Sequence, residues 1–131
     1  MTISLSTNAW SQNDSTAVAE SFQKVLEICQ SKSAADLAPY VVYRGPDKER
    51  NGKDVCNYTN EQEKQEINTI FSQFKDWDLT TYKIKEYMTQ KKSNGTMLHG
   101  LSISYQLDGE SKEILVAFLK INENYAIMDI D

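Results

Sequence analysis

From Trp77 onward the hydrophobic period of this chain becomes two and holds almost to the end. In "TTYKIKEYMTQKKSNGTMLHGLSISYQLDGESKEILVAFLKINENYAIMDI" apolar and polar residues alternate. "SNG", "DGES" and "NEN" break the alternation, each rich in residues that tolerate turn conformations. The pattern predicts four strands, at about 79–92, 96–107, 113–121 and 125–130, joined as an antiparallel meander. A sheet of this kind must bury its apolar face against another layer, which has to come from the first half of the chain.

That half is helical. In "STAVAESFQKVLEICQ", Val18, Phe22, Val25, Leu26 and Cys29 recur at helical spacing behind the cap candidates Asp14 and Ser15, predicting a helix over about 15–31. "SKSAADLAP" pairs Ser33 with Asp36 as in a capping box, and Pro39 limits the element to one or two turns. "YVVYR" and "DVCNY" read as brief strands flanking a polar loop. Thr59 with Gln62, or Asn60 with Glu63, can cap a third helix over about 60–75, whose apolar stripe is Ile67, Ile70, Phe71 and Phe74. No Gly-, Pro- or Ser-rich linker divides the chain, and 131 residues suffice for one core. The expected organisation is an N-terminal arm over 1–13 and a single α+β domain over 14–131, with N-terminal helices packed on a curved antiparallel sheet.

Composition excludes several classes of function. A net charge of -5 opposes the phosphate-neutralising surface that nucleic acid requires. Arg44, Lys48, Arg50 and Lys53 are interleaved with Asp47, Glu49 and Asp54, as in a solvated loop. No apolar run approaches the ~20 residues of a membrane helix, and "MTISLSTNAW" lacks the features of a leader, so a cytoplasmic location is expected. Cys29 and Cys56 are too few for a disulfide framework. One histidine with scattered carboxylates makes a poor metal site, so neither metal nor cofactor is expected.

Register locates a candidate site. A two-residue turn at Asn94-Gly95 sets Tyr82 opposite Leu107, Ile84 opposite Tyr105, Glu86 opposite Ile103, Met88 opposite Leu101 and Gln90 opposite His99. Apolar faces then coincide, while Lys83, Lys85, Ser102 and Ser104 point the other way. A loop at Asp108-Gly109, of two or four residues, adds Ile114, Val116 and Phe118 to the inner face. A turn at Glu123-Asn124 adds Ile127 and Asp129. Glu86, His99 and Asp129 are thus expected as a polar group ringed by Tyr82, Tyr105 and Phe118, and a buried charge there demands a partner. Gly100, inside a strand, reads as a bend or bulge.

The opposite face is apolar too, through Leu115, Ala117, Leu119, Ile121, Ala126, Met128 and Ile130. A solvated sheet face does not need this, so either a second copy covers it, giving a homodimer, or the arm with Ile3, Leu5 and Trp10 folds across it.

The order of elements, and phrases such as "ESFQKVLEICQSKSAADLAPYVVYRG", resemble the opening of domains in the NTF2-like (SnoaL-like, cystatin-like α+β cone) superfamily. The resemblance implies a strongly curved sheet around the helices and a conical cavity walled by the inner-face positions. Members include dehydratases, isomerases, epoxide hydrolases and polyketide cyclases, and also non-catalytic binding and dimerisation domains, so fold alone does not choose among them. Two functions stay open. One is a module holding a small apolar or carbonyl-containing ligand through Tyr82, Glu86, His99, Tyr105 and Phe118. The other is a cofactor-free lyase or isomerase in which Glu86 or Asp129 is the base, His99 an acid or base, and Tyr82 or Tyr105 an oxyanion donor.

Overall fold

The computed structural model describes residues 8–131, with side chains from Asp14 onward. Helix α1 spans Asn8–Ser31, a 3-10 helix follows at Ala34–Tyr40, and α2 spans Glu61–Phe74. Strands β1 (Lys83–Lys91), β2 (Met97–Leu107), β3 (Glu110–Ile121) and β4 (Asn124–Ile130) form one antiparallel sheet in sequence order. The fold is α+β, three helices against a curved, unclosed four-stranded sheet.

Local chemistry accounts for the helix boundaries. Asp36 accepts a hydrogen bond from the Ser33 amide at 3.3 Å, so the expected capping pair opens the 3-10 helix. Of the two cap pairs open for α2, Asn60 with Glu63 is the one formed, the Glu63 amide donating to Asn60 Oδ1 at 2.9 Å. Gln30 Nε2 lies 2.7 to 3.1 Å from the carbonyls of Phe74, Lys75 and Trp77, which ties α1 to the end of α2. Helix α1 starts earlier than expected and runs through Asp14, whose side chain serves the tertiary structure instead of capping. Among the described residues no helix is long and apolar enough to cross a membrane.

In the loop over 43–55, Arg44, Asp47, Lys48, Glu49 and Lys53 are exposed as the charge pattern predicts, but Arg50 is drawn into a latch. Arg50 Nε donates to Asp54 at 3.0 Å, its Nη2 to the Val55 carbonyl at 2.9 Å and to Glu63 at 3.3 Å, and its guanidinium lies 4.0 Å from the Tyr43 ring centre. Glu63 is buried and also accepts from the Asn57 amide at 2.7 Å and from the Asn60 side chain. A buried carboxylate needs such partners to remain charged. The latch fixes Val42 and Val55 over Leu119, Ile121 and Ala126 on the outer face. That end of the outer face is therefore covered by the chain's own loop, a third possibility beside the two expected. The other end, with Met88 and Leu115 at 37% and 36% exposure, faces solvent. Ile3, Leu5 and the Trp10 side chain lie outside the described residues.

The sheet departs from the expected register in two places. The β1–β2 connection is a three-residue loop over 93–95, closed by Lys92 N donating to Thr96 O at 2.7 Å, with Gly95 left-handed at φ 88°. Relative to a two-residue turn, the pairing slips by one, so His99 faces Thr89 and Tyr87 faces Leu101. A slip of one residue would by itself bury the lysines. A β-bulge between Ile84 and Glu86 restores the phase, leaving Lys85 outside, paired with Glu113 at 2.8 Å, and Ile84 opposite Ile103. Gly100 carries no bulge: a Cβ there would come within 3.1 Å of Met88 Cγ, so the glycine is a seat for that side chain on the outer face.

The second departure is in β4. Its turn is Asn122-Glu123, with Asn122 at φ 58°, which keeps Ile127 on the inner face opposite Phe118. A second irregularity between Ala117 and Phe118 then reverses the face, placing Asp129 opposite Ala117 and Ile130 opposite Val116. The β2–β3 turn is the shorter of the two expected, Asp108-Gly109, both residues left-handed at φ 53° and 79°.

Candidate functional site

The inner face has two chemically different ends. Toward the end of α2, Trp77 stacks on Tyr105 at 3.9 Å and 15°, while Phe22 makes edge contacts with Phe74, Trp77, Tyr82 and Phe118 at 5.5 to 6.5 Å. Tyr82, Tyr105 and Phe118, expected as cavity walls, spend their ring faces on this packing. Phe118 is fully buried, and burial raises the Tyr82 phenol above its ordinary pKa, with Glu27 adding to the effect. The cone is filled at this end.

At the other end stands His99, 6% exposed. Its Nδ1 is 2.8 Å from the Tyr87 hydroxyl, and its ring meets that of Tyr125 edge-on at 4.9 Å. Tyr125 in turn donates to Asp14 Oδ1 at 3.2 Å. The Lys120 ammonium lies 5.8 Å from the Tyr125 ring centre. Side chains from β1 and β4 therefore meet the imidazole of β2, with Asp14 of α1 behind Tyr125. Burial pushes the His99 pKa below 6.5, against the pull of Asp14 and with a smaller push from Lys120. Burial first, then Asp14, raises both the Tyr87 and Tyr125 phenols to about 12. At neutral pH the set is a neutral imidazole between two neutral phenols, with one carboxylate behind them.

Of the residues expected at the site, only His99 belongs to this group. Glu86 is exposed: the slipped register puts it opposite Ser102 on the outer face. Asp129 is exposed opposite Ala117, turned outward by the irregularity in β4. Tyr87, Tyr125 and Asp14 take their places. Asp14 was detectable, because it continues the stripe of Val18 and Phe22 one turn back along α1. Tyr87 comes onto the inner face once "SNG" is read as a three-residue loop ending in a left-handed glycine.

Beside this group the bulge in β1 opens a cleft of about 320 Å³ against α1. Its walls include Ser15, Thr16 and Ala19 from α1, Ile84 and Tyr87 from β1, and Leu101 from β2, with Lys85 and Glu86 at the bulge itself. Tyr87 thus touches both the cleft and His99. If its O–H donates to Nδ1, the tyrosine oxygen can still accept a hydrogen bond. If Nδ1 carries the proton, the tyrosine hydrogen is available to a carbonyl in the cleft.

Cys29 and Cys56 are buried and unpaired, and burial raises both thiols to about 12, which makes them poor nucleophiles. Among the described residues no group of three or more His, Cys, Asp or Glu side chains could hold a metal ion. No protein-family model matches this chain, and no curated protein or solved structure does so either.

Proposed function

We propose that this chain is a small-ligand-binding domain of the NTF2-like kind, and that its ligand is a compact apolar molecule carrying a carbonyl group. The supporting observation is Tyr87, hydrogen-bonded to His99 behind it and lining a cleft whose apolar part is Ala19, Ile84 and Leu101, with Ser15, Thr16, Lys85 and Glu86 completing the lining. In this reading His99 Nδ1–H donates to the Tyr87 oxygen, and the Tyr87 hydroxyl donates to the ligand carbonyl. The exposed outer-face pair Met88 and Leu115 supports self-association as a homodimer. We place the protein in the cytoplasm, where unpaired thiols such as Cys29 and Cys56 persist.

Cyclohexanone is a suitable probe. Titrated into ¹⁵N-labelled protein, it is expected to give saturable amide shifts at Ala19, Tyr87 and Leu101, and Tyr87→Phe is expected to abolish them while the spectrum stays folded. Shifts absent from these residues, or unchanged by Tyr87→Phe, would refute the reading.

A second reading, cofactor-free proton transfer beside the carbonyl, is favoured by the contact of Asp14 with Tyr125 next to His99. In that case wild-type protein exchanges the α-protons of cyclohexanone for deuterium faster than His99→Gln does. Equal rates would leave binding as the sole role.

A further inference from the structure

A second concavity lies on the far side of the molecule, between α2 and the outer edge of β4. It measures about 480 Å³. Its sheet side is Ile127, Met128, Asp129 and Ile130, and Ile70 of α2 contributes to its apolar lining.

Two features mark it as more than a gap in packing. The first is an open strand edge. Val41 and Val42 begin a parallel bridge to β4, with Val42 N donating to Ile127 O at 2.9 Å, but the chain then leaves the sheet, Tyr43 N bonding to Asp54 O instead. Beyond that point β4 has a neighbour on one side only. Leu115 and Asp131 exchange both of their backbone hydrogen bonds, so in an antiparallel ladder the N–H and C=O of Ile130, opposite Val116, point away from β3. Among the described residues they make no backbone hydrogen bond to a loop or turn residue.

The second feature is the helix wall. The α2 residues Gln62, Gln65, Thr69 and Gln73 recur at spacings of three and four along the groove. This is an uncharged stripe of amides and a hydroxyl, able both to donate and to accept. An unpaired strand edge on one side and neutral donor–acceptor side chains on the other match the two edges of an extended main chain, and the isoleucines between them match an alternate apolar side chain.

Charge specifies the end of such a segment. Arg44 stands at the groove where the chain departs from β4, and among the described residues it has no hydrogen-bond or ion-pair partner. Its neighbour Arg50, by contrast, is fully engaged in the latch. Glu66 and Asp129 also line the groove and disfavour further acidic side chains along it. A segment antiparallel to β4 brings its C-terminus to Arg44.

We infer that this groove binds the C-terminal residues of a partner polypeptide, extended, apolar at alternate positions and ending in a free carboxylate, as a strand added antiparallel to β4. With the Ile127 carbonyl already taken by Val42, about three residues fit along 128–130 at roughly 3.3 Å each. This site is separate from the cleft at Tyr87, and either can fail without the other.

The test uses the ¹⁵N-labelled 131-residue chain and an N-acetylated hexapeptide of alternating threonine and valine, prepared as the free acid and as the C-terminal amide. The acid is expected to give saturable shifts at the Ile130 and Thr69 amides and at the side-chain amides of Gln65 and Gln73, with Tyr87 and Leu101 unmoved. The amide is expected to bind about tenfold more weakly, the usual scale for losing one charge-assisted contact. Arg44→Gln is expected to remove the difference between the two peptides. Thr69→Lys, which projects into the groove, is expected to block both. No saturation at millimolar peptide, shifts centred on Tyr87, or equal affinity of acid and amide for the wild type would each overturn the inference.

Discussion

The two ends of the inner sheet face solve the same burial problem by opposite means. Around Trp77 the space between sheet and helices is filled by rings, with Phe22 at the centre of four edge contacts and the Trp77–Tyr105 stack closing the bottom. Around His99 it is bridged by hydrogen bonds, from Tyr87 to the imidazole and from Tyr125 to Asp14. The aromatic end is 2% exposed at Trp77 and leaves the indole N–H buried without a partner, a cost of ~1–3 kcal/mol that the ring packing offsets. The polar end has partners for its imidazole and phenols and an adjoining cleft. The difference separates a part of the face closed by ring packing from a part where titratable side chains adjoin a cleft.

The largest effect that would sharpen this contrast belongs to Phe22→Ala. Removing the hub of the aromatic end is expected to cost ~3–5 kcal/mol in urea denaturation, with the His99 side-chain resonances keeping their native positions in the variant that remains folded. A cost below ~1 kcal/mol would mean that the rings line a void instead of filling it.

Smaller, and at the polar end, Tyr87→Phe leaves His99 Nδ1 without its partner. The expected loss is ~1–2 kcal/mol, read from the same denaturation curves. An unchanged stability would show that water takes the place of the hydroxyl and that the site is wetter than its burial implies.

The smallest effect is a slope. His99 has a folded pKa below its unfolded value of about 6.5, so the unfolded chain binds more protons between the two. Its contribution to stability is therefore complete above pH 6.5 and falls as the pH drops from there toward the folded pKa. One proton sets a ceiling of ~1.4 kcal/mol per pH unit. The difference in unfolding free energy between wild type and His99→Gln should shrink from pH 7.5 to 5.5, whereas a His99 held by a dominant anionic partner would make it grow.

How far the sequence carries depends on what each residue is asked to do. Strand alternation and the stripe of Phe22, Leu26 and Cys29 specify layers, because burial on one face repeats over many residues and tolerates local error. The α+β architecture, the meander and the burial of His99 were legible for that reason. Site membership rests on single residues at the mercy of single irregularities. One extra residue in the Ser93-Asn94-Gly95 loop exchanged Met88 for Tyr87 and turned Glu86 outward, and the bulge at Lys85 returned Ile84 to the inner face. The irregularity beside Met128 turned Asp129 outward. Bulges leave little trace in composition, since a single extra residue, Lys85 in one strand and Met128 in the other, looks like any other strand residue. Arg50 and Glu63 escaped for a different reason. Their pairing joins a loop to a helix start thirteen residues away, and local charge pattern does not distinguish a latch from a solvated face.

The central claim is that His99 is a buried, neutral imidazole coupled to Tyr87, which lines the cleft between α1 and β1, and NMR titration of the His99 ring nitrogens tests it most directly. The account predicts a midpoint below pH 6.5 and an Nδ1 resonance perturbed by both Tyr87→Phe and cyclohexanone. A midpoint at or above 6.5, with Nδ1 indifferent to both, would contradict it.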